Sequence, residues 1–256
     1  GGTAKTPLTI KLNQILQKLN FKTCSIKKFY KDQIDEQKLL SENSNLYCRK
    51  KRLDALNEAI KDNIDIAIFD DGLQDRLLNY HISFVCFNNV KWIGNGFLIP
   101  SGPLREKLKS ILKYDAVFLN GNEEDNSHLK NSIKKIDANI KIFETYYQPI
   151  NVHKFNLENN YLMLSGIANP DNFKKTLLKK KFKIVKEINF PDHYQYKKKD
   201  IEKIKSIASN LKAKIITTEK DFVKIPKEYL NNINFVEIDL IIKQENELIS
   251  FIKSKI

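Results

Sequence analysis

The sequence predicts an α/β fold: a mostly parallel sheet with helices on both faces, followed by a smaller C-terminal α/β lobe. Three observations predict it. Strand-like and helix-like segments alternate along most of the 256 residues, the order a parallel sheet with crossover helices requires. Apolar runs end in polar turns, as Ile64–Phe69 does at Asp70-Asp71-Gly72 and Ala116–Leu119 does at Asn120-Gly121. Gly1-Gly2-Thr3-Ala4-Lys5-Thr6 leads straight into a helical pattern, which is how a chain offers backbone N–H groups to an anion.

Each element follows from its own pattern. From Thr6 to Leu19, Ile10, Leu12, Ile15, Leu16 and Leu19 fall at helical spacing. Thr23–Ile26 reads as a short strand, and residues 27–50 are polar and ambiguous. Leu53, Leu56 and Ile60 give a helix over Arg52–Lys61, and Ile64–Phe69 and His81–Phe87 are strands. Leu108, Ile111 and Leu112 share one face of a helix expected over Arg105–Lys113, ahead of strand Ala116–Leu119. Glu123–Asn139 reads as a surface loop and helix, and Ile140–Tyr147 as a strand. Strand Tyr161–Ser165 precedes a helix that Asn169 caps and Pro170 opens. Strand Phe182–Phe190, helix Lys198–Leu211, strands Ile215–Thr218 and Phe235–Ile242, and helix Glu245–Ile256 complete the pattern. The expected division is a first lobe over 1–148, a linker over 149–160 and a smaller lobe over 161–256.

Composition bounds the function. A hydrophobic content of 41% excludes wholesale disorder. No apolar run approaches the roughly 18–20 residues of a spanning helix. Cys24, Cys48 and Cys86 have no paired metal spacing and read as reduced thiols of a cytosolic protein. The 44 Lys and Arg against 31 Asp and Glu give a net charge of +13. That charge invites phosphate polyanions, but the lysines are spread over the whole length, so nucleic acid is not an expected partner.

Five segments carry chemistry. Gly1 to Thr6 reads as the back half of a phosphate-binding loop, with Lys5 as a point charge and Thr6 as a Mg²⁺ ligand, or as a Gly-Gly tail before a helix. The complete signature needs an earlier Gly and a strand, both expected upstream of residue 1 in a chain that starts without Met or signal peptide. Asp70 and Asp71 end a strand, where carboxylates hold Mg²⁺ beside a nucleotide or simply make a turn. Gly94 to Glu106 has three Gly and two Pro in 13 residues and brings Arg105 to a place where a guanidinium grips phosphate or forms a surface ion pair. Phe190-Pro191-Asp192-His193-Tyr194 offers His193 as a base, an orienting group or a solvated loop residue. Thr217-Thr218-Glu219-Lys220-Asp221 puts further polar groups at a strand end.

Together with Ser165-Gly166-Ile167-Ala168-Asn169-Pro170, these stretches occur in one order over nearly the whole chain. That order closely resembles the tetraacyldisaccharide 4'-kinase family, the lipid A 4'-kinases (LpxK). The resemblance implies a P-loop NTPase-like lobe that uses ATP and Mg²⁺. It implies transfer of the γ-phosphoryl to the 4'-hydroxyl of tetraacyldisaccharide 1-phosphate, giving lipid IVA in lipopolysaccharide biosynthesis. It also implies a monomer working peripherally on the cytoplasmic face of the inner membrane.

By the same resemblance, Gly1, Gly2, Thr3, Ala4, Lys5 and Thr6 hold the phosphates, and Gln74 and Glu106 line the nucleotide site. Lys5, Asp71 and Arg105 act on the transferring phosphoryl. Thr6, Glu36, Asp70 and Asp71 surround Mg²⁺. Asp35 pairs with His193 to activate the sugar hydroxyl. The chain departs from the family pattern at Ala4 (Gly in the family), at Ile34 and Gln37 (Gly and Pro), and at Ser25–Tyr30 (Ser-Arg-Gly-Tyr-Gly-Gly). The competing readings are another P-loop small-molecule kinase or ATPase, and an inactive basic fragment that binds anionic lipid or nucleic acid.

Overall fold

A computed structural model describes residues 4–75, 77–121 and 125–256. Eleven strands among them form three sheets. In the first sheet β1 (Thr23–Lys28) lies between β2 (Leu46–Arg49) and β3 (Ile66–Phe69), all parallel. The second sheet runs β4 (Phe84–Asn88), β5 (Ala116–Gly121), β6 (Lys141–Pro149), with β11 (Ile238–Ile242) antiparallel on β6. The third is all parallel, in the order β10 (Ile233–Val236), β9 (Ala213–Thr218), β7 (Asn160–Ser165), β8 (Lys183–Asn189).

Helices cover the first two sheets. Helix α1 (Lys5–Lys18) buries Leu8, Leu12, Ile15 and Leu16 at helical spacing against Phe118 and Phe143. Helix α2 (Ile34–Asn43) and β2 occupy the stretch that sequence patterning leaves ambiguous. Helix α3 (Arg52–Lys61) buries Ala55 and Ala59 beside Ile26 of β1, and the short α4 (Ser127–Lys134) buries Ile133. In the third sheet α5 (Pro170–Lys179) starts as the sequence predicts: Asn169 Oδ1 accepts from the Asn172 N–H at 3.4 Å, and Pro170 takes the first turn. Helix α6 (Lys198–Asn210) buries Ile201, Ile204 and Ala208, and a four-residue turn, α7 (Glu219–Phe222), follows β9.

Three expectations change. Residues 105–107 are irregular, and Leu108–Lys113 is a 3-10 helix. Three residues per turn align Leu108 with Ile111 and rotate Leu112 out of line. Ile111 is accordingly buried, while Leu112 is 53% exposed. The strand read over 235–242 is two strands in different sheets. The chain switches at Glu237, whose N–H donates to Asn151 Oδ1 and whose carbonyl accepts from the Ile150 N–H, both at 3.0 Å. The C-terminal segment therefore leaves the second lobe: β11 joins β6, and α8 (Glu245–Lys253) packs Leu248 and Ile252 into the core of α1.

Between β3 and β4 lies an apolar cleft of about 1230 Å³, lined by Leu8, Leu12, Ile68, Phe84, Cys86 and Ile111 among others. β3 pairs only with β1 and β4 only with β5 among the described residues, so two strand edges border it. No helix among the described residues is long and apolar enough to cross a membrane.

Candidate active site

The site is built where the carboxyl ends of the parallel strands meet the start of α1. Gly1, Gly2 and Thr3, expected to hold phosphate, lie outside the described residues. Ala4 is buried and left-handed, with φ 59° and ψ 24°, immediately before the first helical residue. An L-residue pays roughly 1–2 kcal/mol for that conformation, and it is the position where the resemblance expects Gly.

Asp70 and Asp71 follow β3. The Asp70 N–H still pairs with the Ile26 carbonyl, which fixes the turn to the sheet. Asp71 is also left-handed, at φ 58°, and the Arg52 guanidinium holds its carbonyl at 2.8 Å. Gly72 is required here, since an added Cβ would lie 2.8 Å from Phe69 Cβ and 2.9 Å from the Tyr80 hydroxyl. Lys5 Nζ donates to Asp71 Oδ1 at 2.6 Å, and Thr6 Oγ1 donates to Asp70 Oδ2 at 3.0 Å. Arg105 Nη1 reaches both Asp71 oxygens, at 3.0 and 3.1 Å, and Gln74 Oε1 at 3.1 Å. Burial pushes the Asp71 carboxyl up, but Lys5 and then Arg105 outweigh it and hold the group below the usual carboxylate range. Glu106 turns to the Tyr114 hydroxyl, which donates to it at 3.1 Å.

A second cluster joins the lobes. His193, at φ 61°, lies on the loop after β8, and its Nδ1 sits 3.1 Å from Asp35 Oδ1 in the first turn of α2. Asp35 is fully buried. Lys220, on α7, places Nζ 3.0 Å from Asp192, 3.4 Å from Asp35 and 3.7 Å from Glu36. Burial raises the Asp35 carboxyl, but Lys220 first and His193 next bring it below its ordinary range. Asp221 fixes the Lys220 turn by accepting from the Gly166 N–H at 2.9 Å and the Thr218 hydroxyl at 2.8 Å.

Lys27 bridges the two clusters. Its Nζ donates to Glu36 Oε2 and to Asp70 Oδ2, each at 2.7 Å. Burial lowers the affinity of this ammonium for its proton, but Asp70 and Glu36 reverse that and raise it above the ordinary lysine range. Lys5, Thr6, Asp70, Asp71, Gln74 and Arg105 thus converge on one side, and Asp35, Glu36 and His193 on the other. Sequence reasoning missed Lys27, which lies in the polar stretch it left unassigned. Lys220 stands in the polar segment Thr217–Asp221, whose sequence alone gives that lysine no role.

A magnesium ion fits the first cluster. Asp70 Oδ1 is buried and without a hydrogen-bond partner among the described residues, and it sits beside Thr6 and Asp71, a hard oxygen set of the kind Mg²⁺ shares with phosphate and water. Among the described residues no three His, Cys, Asp or Glu side chains form a ready-made cage. Glu36 is already engaged by Lys27.

Comparisons with known proteins follow the same line. A sequence model of the family described as Tetraacyldisaccharide-1-P 4'-kinase matches residues 1–256. A relative named Tetraacyldisaccharide 4'-kinase, from Pelagibacter ubique (strain HTCC1062), is 49% identical over 248 residues, covering 97% of this chain and 79% of its own length. One of the same name from Rickettsia typhi is 33% identical over 250 residues, covering 91% of this chain and 75% of its own. Among solved structures, "apo" form LpxK from Aquifex aeolicus, in complex with ATP, shares the fold with a TM-score of 0.71 at 20% identity, over 100% of this chain and 85% of that one.

Proposed function

This chain belongs to the tetraacyldisaccharide-1-P 4'-kinase family, and on that premise we propose how its residues carry out the transfer. The substrates are ATP and a tetraacyldisaccharide 1-phosphate, and the product carries a new phosphate on the 4'-oxygen. The contact that carries this reading is His193 with Asp35, 3.1 Å apart and drawn from different lobes, beside the Lys5, Asp71 and Arg105 cluster.

The start of α1 directs backbone N–H groups at the phosphates, and Lys5 neutralises charge on them. Arg105, held now by Asp71 and Gln74, is placed to transfer its guanidinium to the phosphoryl group, where a planar fork matches two oxygens. Thr6, Asp70 and Asp71 would hold Mg²⁺, which when bound would neutralise phosphate charge. Glu36 acts through Lys27 to orient Asp70 and through Lys220 to orient Asp35. Asp35 fixes the His193 ring through Nδ1 and leaves Nε2 to accept the proton of the attacking sugar hydroxyl. Phosphoryl transfer then needs positioning and charge neutralisation more than covalent chemistry.

The cleft between β3 and β4 reaches Lys5, Asp71 and Arg105 at one end and is lined by apolar side chains such as Leu8, Leu12 and Ile68 along its length. The setting we infer is the cytoplasmic face of the inner membrane, with the enzyme peripheral and monomeric.

The test is mass spectrometry of disaccharide 1-phosphate incubated with Mg-ATP and the folded protein. A product heavier by one phosphate at the 4'-position is expected. His193→Ala should lower kcat at least about 100-fold while the KM for ATP stays within about threefold. Absence of product from folded enzyme with dispersed substrate overturns the reading.

A further inference from the structure

The loop between β4 and the 3-10 helix carries a feature that phosphoryl transfer does not use. Phe97, Leu98 and Ile99 are consecutive, large and apolar, and they are 63%, 37% and 63% exposed. A fixed loop presents them. The Ile99 N–H donates to the Leu104 carbonyl at 2.8 Å, the Gly102 N–H to the Leu98 carbonyl at 3.0 Å, and the Leu104 N–H to the Phe97 carbonyl at 3.2 Å. Asn95 Nδ2 donates to the Ser101 carbonyl at 2.8 Å. Gly102 is needed for this closure, because an added Cβ would lie 2.4 Å from the Phe97 carbonyl oxygen. A backbone this thoroughly self-bonded holds its apolar tip in water, against the tendency of such side chains to bury.

The surroundings say what covers the tip. Lys107 lines the same shallow depression as residues 96–101, so a cation stands beside the apolar side chains. A stable protein partner needs a patch of roughly 800 Å² on each side, well beyond three residues. A few apolar side chains beside a cation suit the boundary between headgroups and acyl chains of an anionic bilayer. The loop leaves the carboxyl end of β4 and ends at Arg105, which binds Asp71 in the active site.

We propose that Phe97, Leu98 and Ile99 insert into the acyl-chain boundary of an anionic bilayer, with Lys107 against the lipid phosphates, seating the active-site edge of the first lobe on the membrane. The inference rests on the kinase reading for its purpose, since a lipid substrate is met there, and on the loop geometry for its evidence.

The experiment uses the whole chain with phosphatidylcholine vesicles, with and without phosphatidylglycerol, and with neither ATP nor disaccharide, so its outcome is separate from that of the kinase assay. Trp92 is the single natural tryptophan, and its signal is subtracted from that of Phe97→Trp. The new tryptophan should shift to the blue on anionic vesicles and be quenched by brominated acyl chains. Phe97→Ser combined with Ile99→Ser should weaken partitioning about tenfold or more. Lys107→Gln should weaken it about two- to fivefold on anionic vesicles and leave neutral ones unaffected. The Ser pair alters exposed side chains only, and the tryptophan probe reads the contact without deleting it. An unshifted, unquenched probe overturns the proposal. So does unchanged partitioning of the Ser pair, or a change in self-association by sedimentation in place of vesicle binding.

Discussion

Lys27 shows how the site is tied together at the scale of single residues. Its side chain is 3% exposed and that of Asp70 is 1% exposed, so neither charge is solvated. Lys27 is the cation paired with Asp70, whose other donor is the neutral Thr6 hydroxyl, so removing the ammonium leaves a buried carboxylate without a counter-charge. Lys27→Met should therefore lower unfolding free energy by about 3 kcal/mol in a urea titration. A loss under about 1 kcal/mol would mean that Asp70 finds another partner and that Lys27 is not the bridge. Legibility at this scale was uneven. Lys5, Thr6, Asp70, Asp71 and Arg105 stand in short dense motifs, and charge and helix-start arguments reach them directly. Asp35 and His193 were paired by family resemblance, since no local spacing joins residues on different lobes. Lys27 carries no signal of its own: a lysine in a lysine-rich chain becomes informative only once burial is known.

At the scale of elements, periodicity located most strands and helices but not their partners. Nothing in Phe235–Ile242 marks a change of sheet: Glu237 and Asp239 are its two polar residues, and their alternation with Val236, Ile238 and Leu240 is also what one uninterrupted strand would show. Leu108, Ile111 and Leu112 satisfy an α-helical face as well as a 3-10 turn, and only the exposure of Leu112 separates them. Strand β6 carries a testable consequence of its packing. Glu144 is buried there, with Lys130 at 2.5 Å, Asn126 at 2.6 Å and Lys243 at 3.7 Å. Burial pushes its carboxyl up, but Asn126 and Lys130 then Lys243 bring it below the ordinary 4.5. A depressed folded-state value means that the unfolded chain binds the proton more readily. The stabilisation is therefore present above about pH 5 and is lost as pH falls through the folded-state value. Melting midpoints of wild type should fall more steeply below pH 5 than those of Glu144→Gln. Parallel curves would contradict the assignment.

At the scale of the whole molecule, the two-lobed plan was legible, but its boundary was not. The chain passes into the third sheet and then returns, so β11 and α8 complete the first lobe's core. Such a return is invisible to a linear reading, because contacts far apart in sequence leave no local pattern. The cleft of about 1230 Å³ between β3 and β4 has an equally global consequence. A short Val/Ile-rich peptide added in excess should pair with these edges and raise the melting midpoint by about 5 °C or more. An unchanged midpoint would show that the edges do not accept it.

The lobes meet at His193 and Asp35, and the account as a whole depends on that contact acting as one unit. A double-mutant cycle on kcat tests it most directly, using Asp35→Asn, His193→Ala and both together. If the carboxylate works only by fixing the ring that accepts the proton, the double variant should be no slower than His193→Ala alone, within about threefold. Losses that multiply, or single variants within about threefold of wild type, would contradict the dyad.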